Sequence, residues 1–204
     1  MSALTEDLDL KAALLAVKTE GATYVPLALD GAFGKRLQHE IESGPFAPVP
    51  QHVGDVAQEA DSFLARGTSI GAFPLVHELL QDLSVTVKRD GKGIKGLAGW
   101  KPNLVTVQRF KPGMLGITPH LDSKRFTKLV AIFTTKGSAP FTLCRNRRGE
   151  IVARWRVRPG SLLLVRAPGF AGLEDGRPFH MVGGPERGER YSLALRMDAR
   201  STRR

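Results

Sequence analysis

The sequence predicts a mainly β chain of the α+β class, an eight-stranded jelly roll with helices packed on its outside. Three observations predict it. Beyond Trp100, eight short alternating or apolar runs recur with turn residues between them, the texture of a sandwich or barrel. Residues 5–18, 31–43 and 73–87 instead carry apolar residues at helical spacing. The 204 residues hold no internal repeat and suit one domain with a sizeable core. Residues 1–97 then read as helical support and a possible lid, and residues 98–200 as a cupin-like double-stranded β-helix.

The elements follow in order. Thr5 is placed to cap a helix over 5–18, with Leu8, Leu10, Ala13, Leu14 and Val17 as its apolar stripe and Gly21 as its stop. Residues 22–29 read as a strand, at a sheet edge because Pro26 cannot donate to a ladder. Asp30 can cap a second helix ended by Gly44-Pro45. Residues 44–71, broken by Pro45, Pro48, Pro50, Gly54, Gly67 and Gly71, read as irregular and as a candidate substrate lid. A third helix spans 73–87. The run Gly91-Lys92-Gly93-Ile94-Lys95-Gly96 lacks phosphate-loop spacing and reads as a turn. The eight strands are expected at 103–110, 117–121, 126–135, 139–144, 150–157, 161–167, 178–182 and 190–197, with residues 147–150 as a hairpin turn. The basic residues 200–204 read as a disordered tail.

Composition narrows the setting. No run of 18 apolar residues exists, so nothing is expected to span a membrane. The acidic start Met1–Asp7 lacks the apolar centre of a signal peptide, and the single cysteine, Cys144, allows no internal disulfide. Both fit a cytoplasmic protein. Residues 1–87 carry five Lys/Arg against twelve Asp/Glu, a formal −7, and residues 88–204 carry 25 against eight, a formal +17. That asymmetry points to an anionic partner, nucleic acid or a phosphorylated metabolite among them, or to a solvated basic face.

The chemistry concentrates around Thr118-Pro119-His120-Leu121-Asp122. On an extended strand residues two apart share a face, so His120 and Asp122 converge. They make two parts of a 2-His-1-carboxylate triad, the arrangement that holds Fe(II) with open positions. His180 is the sole later histidine and can return to the pair across a jelly roll. The alternation of 190–197 puts Arg190, Ser192, Ala194 and Arg196 on one face and Tyr191, Leu193, Leu195 and Met197 on the other. The second face should meet the helices. The first turns two arginines inward, where a dicarboxylate cosubstrate or an internal acid must answer them.

The order His120-x-Asp122, His180, Arg190 resembles the Fe(II)/2-oxoglutarate-dependent dioxygenases. The Arg190–Arg196 pair, together with the run from Asn103 to Gly113, resembles their AlkB-like branch. The resemblance covers residues 98–197 and implies His120, Asp122 and His180 as iron ligands and catalytic centre. It implies Arg190 on the distal carboxylate of 2-oxoglutarate and Arg196 near its C1 carboxylate or the substrate. Gln108 and Phe110 stand where that branch has Asn and Tyr as cosubstrate contacts. The implied reaction consumes 2-oxoglutarate and O2 to hydroxylate a C–H bond or remove an N-methyl group. The aromatic-rich lid of base-repairing members has no counterpart in 44–75, where Phe46, Phe63 and Phe73 are the aromatics. Two dioxygenase readings stay open, one for nucleic acid or nucleotide-like substrates and one for a small molecule, amino acid or peptide. A third is a non-catalytic cupin-like binding protein.

Overall fold

The computed structural model describes residues 2–202. The first half runs α1 (Lys11–Glu20), β1 (Ala22–Val25), α2 (Gly31–Glu42), β2 (Ala47–Pro48), β3 (His52–Val53), β4 (Val56–Ala57), β5 (Asp61–Arg66) and α3 (Pro74–Asp90). The second half is β6 (Leu104–Phe110), β7 (Gly116–His120), β8 (Phe126–Lys136), β9 (Ala139–Cys144), β10 (Ile151–Val157), β11 (Leu162–Arg166), β12 (Phe179–Gly183) and β13 (Arg190–Asp198). All eight expected strands form, and the residues between Cys144 and Ile151 turn β9 into β10.

Two antiparallel sheets face one another. The larger has the order β1-β11-β8-β13-β6-β5-β2, and the smaller has the order β10-β9-β12-β7. This is the jelly-roll arrangement. Strict alternation sorts the side chains of the large sheet. Leu129, Ala131 and Phe133 of β8, Leu162 and Leu164 of β11, and Leu193 and Leu195 of β13 join one core with the three helices. Val130, Leu163 and Val165 point the other way and join Phe141, Leu143 and Val157 of the small sheet. β8 and β11 are therefore buried on both faces, which explains their unbroken apolar runs. Each such side chain contributes about 1.5–3 kcal/mol by leaving water.

The helices dock on the outer face of the large sheet, as expected, but their ends differ from the sequence reading. α1 begins at Lys11 rather than near Thr5. Asp9, just ahead of it, accepts from the Lys11 N–H at 2.7 Å, and Asp90, at the end of α3, accepts from the Leu10 N–H at 2.8 Å, so a local and a tertiary contact together set the start. β1 stops at Val25, four residues early, and is an edge strand as Pro26 suggested. Asp30 does cap α2, accepting from Phe33 N–H at 2.7 Å. The segment 44–71 is less irregular than expected, because β5 lies within it and pairs with β6 over six residues. Its Asp61 is buried yet meets Arg109 at 2.8 Å and Lys111 at 2.9 Å, so a strand starts at a residue whose type argues against one. Ala199–Thr202 form a short 3-10 turn where a disordered tail was expected, and Arg203 and Arg204 lie outside the described residues. Among the described residues no helix is long and apolar enough to cross a membrane.

One contact ties two helices together end to side. Both Glu40 oxygens accept from the first free N–H groups of α3, Leu75 at 3.0 Å and Val76 at 2.9 Å. Glu40→Ala is expected to cost about 1 kcal/mol, in the range of lost helix caps. Thermal unfolding should show a melting temperature lower by ~2–4 °C, and an unchanged value would show that water replaces the carboxylate at no cost.

Candidate metal centre and its cavity

β7 and β12 are neighbours, and their register places His120 directly opposite His180. The two rings lie 4.3 Å apart between centroids, and the His180 ring also stacks on Phe141 at 5.3 Å. Asp122 follows two residues later, past the end of β7 rather than on it. Side-chain ligand atoms of His120, Asp122 and His180 all lie within 4.8 Å of one another, so the chain brings together the three residues that the sequence singled out. His39, His52 and His77 are exposed and outside this cluster.

The local backbone orients each group. His120 Nδ1 lies 2.9 Å from the Thr118 carbonyl, and His180 Nδ1 lies 3.1 Å from the Pro178 carbonyl. A carbonyl oxygen can only accept, so Nδ1 carries the proton in both rings. In the neutral ring that geometry leaves the lone pair on Nε2, the form in which imidazole binds a metal. The Arg177 guanidinium donates to the Asp122 carbonyl oxygen, and Asp175 holds Arg177 at 2.8 Å. Gly116 at the start of β7 has φ +88°, and a Cβ there would run into the Val182 carbonyl oxygen. Only glycine lets β7 approach β12 this closely.

Charges in the cluster are set by burial and by one another. Burial opposes ionisation of Asp122, but the fields of Arg196, His180, His120 and Arg177 win and hold its carboxyl below the usual value. Arg196 Nη2 lies 3.9 Å from Asp122 Oδ1. Asp122 Oδ2 is buried with no hydrogen-bond partner. Burial first, and then the adjacent His120, push His180 down to about 4. Two lone-pair imidazoles, one ionised carboxylate and one orphaned carboxylate oxygen form a donor set that fits a divalent cation such as Fe(II).

A cavity of about 310 Å³ opens on this cluster, lined among others by Gln108, Ile117, Phe126, Ile132, Val182 and Arg196. The β3–β4 hairpin supplies Val53 and Val56 to its wall. That hairpin is stitched to β7, since the Thr118 hydroxyl bonds both the N–H and the carbonyl of Ala57, at 3.0 and 3.1 Å. Phe46, Phe63 and Phe73 do not reach the cavity. Phe63 packs edge-on to Phe46 at 4.9 Å and stacks on Phe73 at 5.2 Å. Hollows of about 540 and 380 Å³ elsewhere hold no metal-ligating cluster.

Arg190 lies beyond the cavity wall, paired with Phe110 two residue pairs past the Ser192–Gln108 pairing. It is 1% exposed, and its Nε and Nη1 have no partner. Burial lowers it to about 10. Its guanidinium sits 5.2 Å from the Phe110 ring, so Phe110 meets it as a π face and not through a hydroxyl. The Thr134 hydroxyl is buried and unpartnered as well, and Thr134 pairs with Ser192 on the same inner face. Sequence reasoning missed Thr134. Its signal was parity, since β8 alternates and Thr134 falls two residues from Ile132, a cavity residue.

No family model and no curated protein sequence matches the chain. Solved structures do. A prolyl-4-hydroxylase of Pseudomonas putida is similar with a TM-score of 0.62 at 15% identity, over 93% of this chain and 98% of that one. A prolyl hydroxylase of Trichoplax adhaerens, in complex with a hypoxia inducible factor peptide fragment, gives 0.60 at 14%, over 94% and 89%. A 2OG-Fe(II) oxygenase family oxidoreductase of Burkholderia pseudomallei gives 0.64 at 13%, over 95% and 92%. At these identities the likeness establishes the fold.

The buried His180 makes the metal-free protein acid-sensitive. An unfolded histidine titrates near 6.5, and the fold lowers this to about 4. The unfolded chain therefore gains a proton that the folded chain refuses, so stability present above about pH 6.5 is lost as pH falls toward 4. Asp122, also lowered, acts with the same sign at lower pH. Urea unfolding in chelator at pH 7 and at about pH 4.5 should differ by up to ~3 kcal/mol. His180→Gln should flatten that slope, and an equal slope in both proteins would place the sensitivity elsewhere.

Proposed function

We propose that the protein is an Fe(II)- and 2-oxoglutarate-dependent dioxygenase that hydroxylates a C–H bond, with N-demethylation as one outcome of the same step. The observation that carries this reading is the convergence of His120, Asp122 and His180 in the barrel cavity while Arg190 lies buried without an anion nearby. The oxygenase fold of the structural neighbours supports it.

In this reading His120, Asp122 and His180 hold the metal. When bound, iron with 2-oxoglutarate and O2 supplies the oxidising power that inserts oxygen into the C–H bond, and succinate and CO2 leave. The remaining work belongs to the chain. Arg190 and the Thr134 hydroxyl receive the distal carboxylate of 2-oxoglutarate, which removes the cost of an unpaired buried cation. Gln108, between the cavity and Arg190, must turn aside or bond the cosubstrate. Arg196 keeps Asp122 ionised and faces the C1 carboxylate or the substrate. Val53, Val56, Ile117, Phe126, Ile132 and Val182 exclude water. A carboxylate at 122 occupies the position that halogenases of this superfamily leave open for halide, which favours hydroxylation.

The substrate class divides two ways. The +17 charge of residues 88–204 favours an anionic substrate, nucleic acid or nucleotide-like, as in the AlkB-like branch. The packing of Phe46, Phe63 and Phe73 on one another leaves Phe126 as the one phenyl ring among the cavity's lining residues, too few to sandwich a base, and favours a small molecule, amino acid or peptide.

The decisive assay measures succinate from 2-oxoglutarate with Fe(II) and ascorbate, with and without methylated single-stranded oligonucleotides. Asp122→Ala should abolish turnover, and stimulation by methylated strands should select the nucleic-acid reading. A wild-type protein that neither retains iron nor makes succinate would return the chain to the binding-protein reading. Arg190→Gln should raise the 2-oxoglutarate KM by ~100-fold or more, the scale of a lost buried charge pair, while leaving iron retention intact. A KM within threefold of wild type would remove Arg190 from the site.

A further inference from the structure

β10 is the outer strand of the small sheet and pairs only with β9. Among the described residues, no element other than β9 is hydrogen-bonded to the backbone of Ile151–Val157. The strand is seven residues long and mostly exposed, with Ile151 and Val152 each about half exposed. It and its flanking turns are also the densest cationic stretch of the chain. Residues 145–158 hold six arginines and one acid. Arg145 is answered by Glu150 at 3.0 Å, Arg156 by Glu186 at 3.1 Å and Arg147 by Asp55 at 3.8 Å. Arg148, Arg154 and Arg158 are exposed and have no acidic partner among the described residues, and Arg154 bonds only the Thr142 hydroxyl.

The position of this edge matters. Cys144, the last residue of β9, pairs with Phe179, and His180 pairs with His120. The β9–β10 turn therefore lies at the end of the small sheet that carries the metal cluster. Arg147 sits 5.8 Å from the Phe179 ring, one residue before His180, and its acid Asp55 belongs to the hairpin that walls the cavity.

We propose that the free edge of β10 is a docking site for an extended acidic segment of a protein, which adds as a strand and presents an adjoining residue to the cavity. An unpaired strand edge offers main-chain donors and acceptors that only another strand satisfies along its length. Arg154 and Arg156 project on one face at the two-residue period, so acids at alternate positions of the added strand meet them. The same arginines repel a second copy of this edge, which is how an edge this long avoids self-association. A single-stranded nucleic acid fits less well. It needs aromatic platforms, and Trp155, the strand's one ring, faces inward at 6.2 Å from Phe141.

The docking stands on the edge alone, and only the delivery of a residue to the cavity rests on the dioxygenase reading. The test uses the full chain with three labelled probes: a synthetic peptide of alternating Glu and Val, its Lys/Val counterpart, and oligothymidylate. Fluorescence anisotropy at low salt should show binding of the Glu/Val peptide alone. Amide exchange should show new protection confined to residues 151–157. Arg154→Glu combined with Arg156→Glu should weaken binding at least ~10-fold, and the milder double alanine variant by a smaller factor. Succinate formation without peptide should be unchanged in both, since neither residue lines the cavity. Equal binding of the Lys/Val peptide, binding without protection of β10, binding of oligothymidylate alone, or no binding at all would each overturn the docking site. Absence of succinate formation in the wild-type chain would instead remove the dioxygenase reading and leave the anisotropy result standing.

Discussion

The site depends on the register between β7 and β12. Side chains on a strand alternate, so a slip of one residue would turn His180 out of the barrel while His120 stayed within. The register is fixed from both sides. Gly116 brings β7 against the Val182 carbonyl, and Gly184 lies against the Met114 backbone, where a side chain has no room. β9 then holds the far edge of β12 through the Phe179–Cys144 and Met181–Thr142 pairs. The imidazoles are oriented by the same backbone, because each Nδ1–H donates to the carbonyl two residues earlier. Strand pairing thus supplies both the position of the donor set and the orientation of its rings.

The interior treats its charges unequally, and the inequality is informative. Asp61 is nearly buried and meets both Arg109 and Lys111. Asp198 is fully buried and has Arg125 at 3.4 Å. These are structural ions, and each is answered within the chain. Arg190 is equally buried and is answered by a benzene ring. A cation–π contact of ~2 kcal/mol does not offset the several kcal/mol needed to remove a guanidinium from water. A buried guanidinium left open beside an unpartnered threonine hydroxyl is the observation on which the proposed anion site rests.

The sequence made most of the β core legible because burial and alternation act locally. Eight strands were placed to within about two residues, and the arginine face of β13 was assigned correctly as inward, since a period of two survives any tertiary context. What was not legible depended on distant partners. α1 starts where Asp90 accepts from Leu10, eighty residues away. β5 begins with an aspartate that only Arg109 and Lys111 make tolerable in a buried position. Asp122 was read as a strand residue on the face of His120, whereas β7 ends at His120 and Asp122 is held beyond it by Arg177 and Arg196. The three residues of the candidate metal cluster were found by type and spacing, and Thr134 was not, because a single threonine in an apolar strand has no spacing to announce it.

The charge asymmetry of the chain has a physical meaning once the fold is known. A basic composition spread evenly would leave arginines on helices and sheets alike, with no preferred partner. Here six of them fall within fourteen residues, on β10 and its flanking turns, and among the described residues the outer edge of β10 has no neighbour. Repulsion between like edges accounts for the presence of charge there, but not for its sign, since aspartate or glutamate would serve as well. The sign matches the rest of the site, where Arg177 and Arg196 act on a single carboxylate, Asp122, and Arg190 lies buried and unpaired farther in. Unpaired arginines thus occur both at the sheet edge and inside the barrel, where Arg190 lies. On the two proposals made above, anions of different size, a short dicarboxylate inside and an acidic strand outside, would meet these groups at different depths.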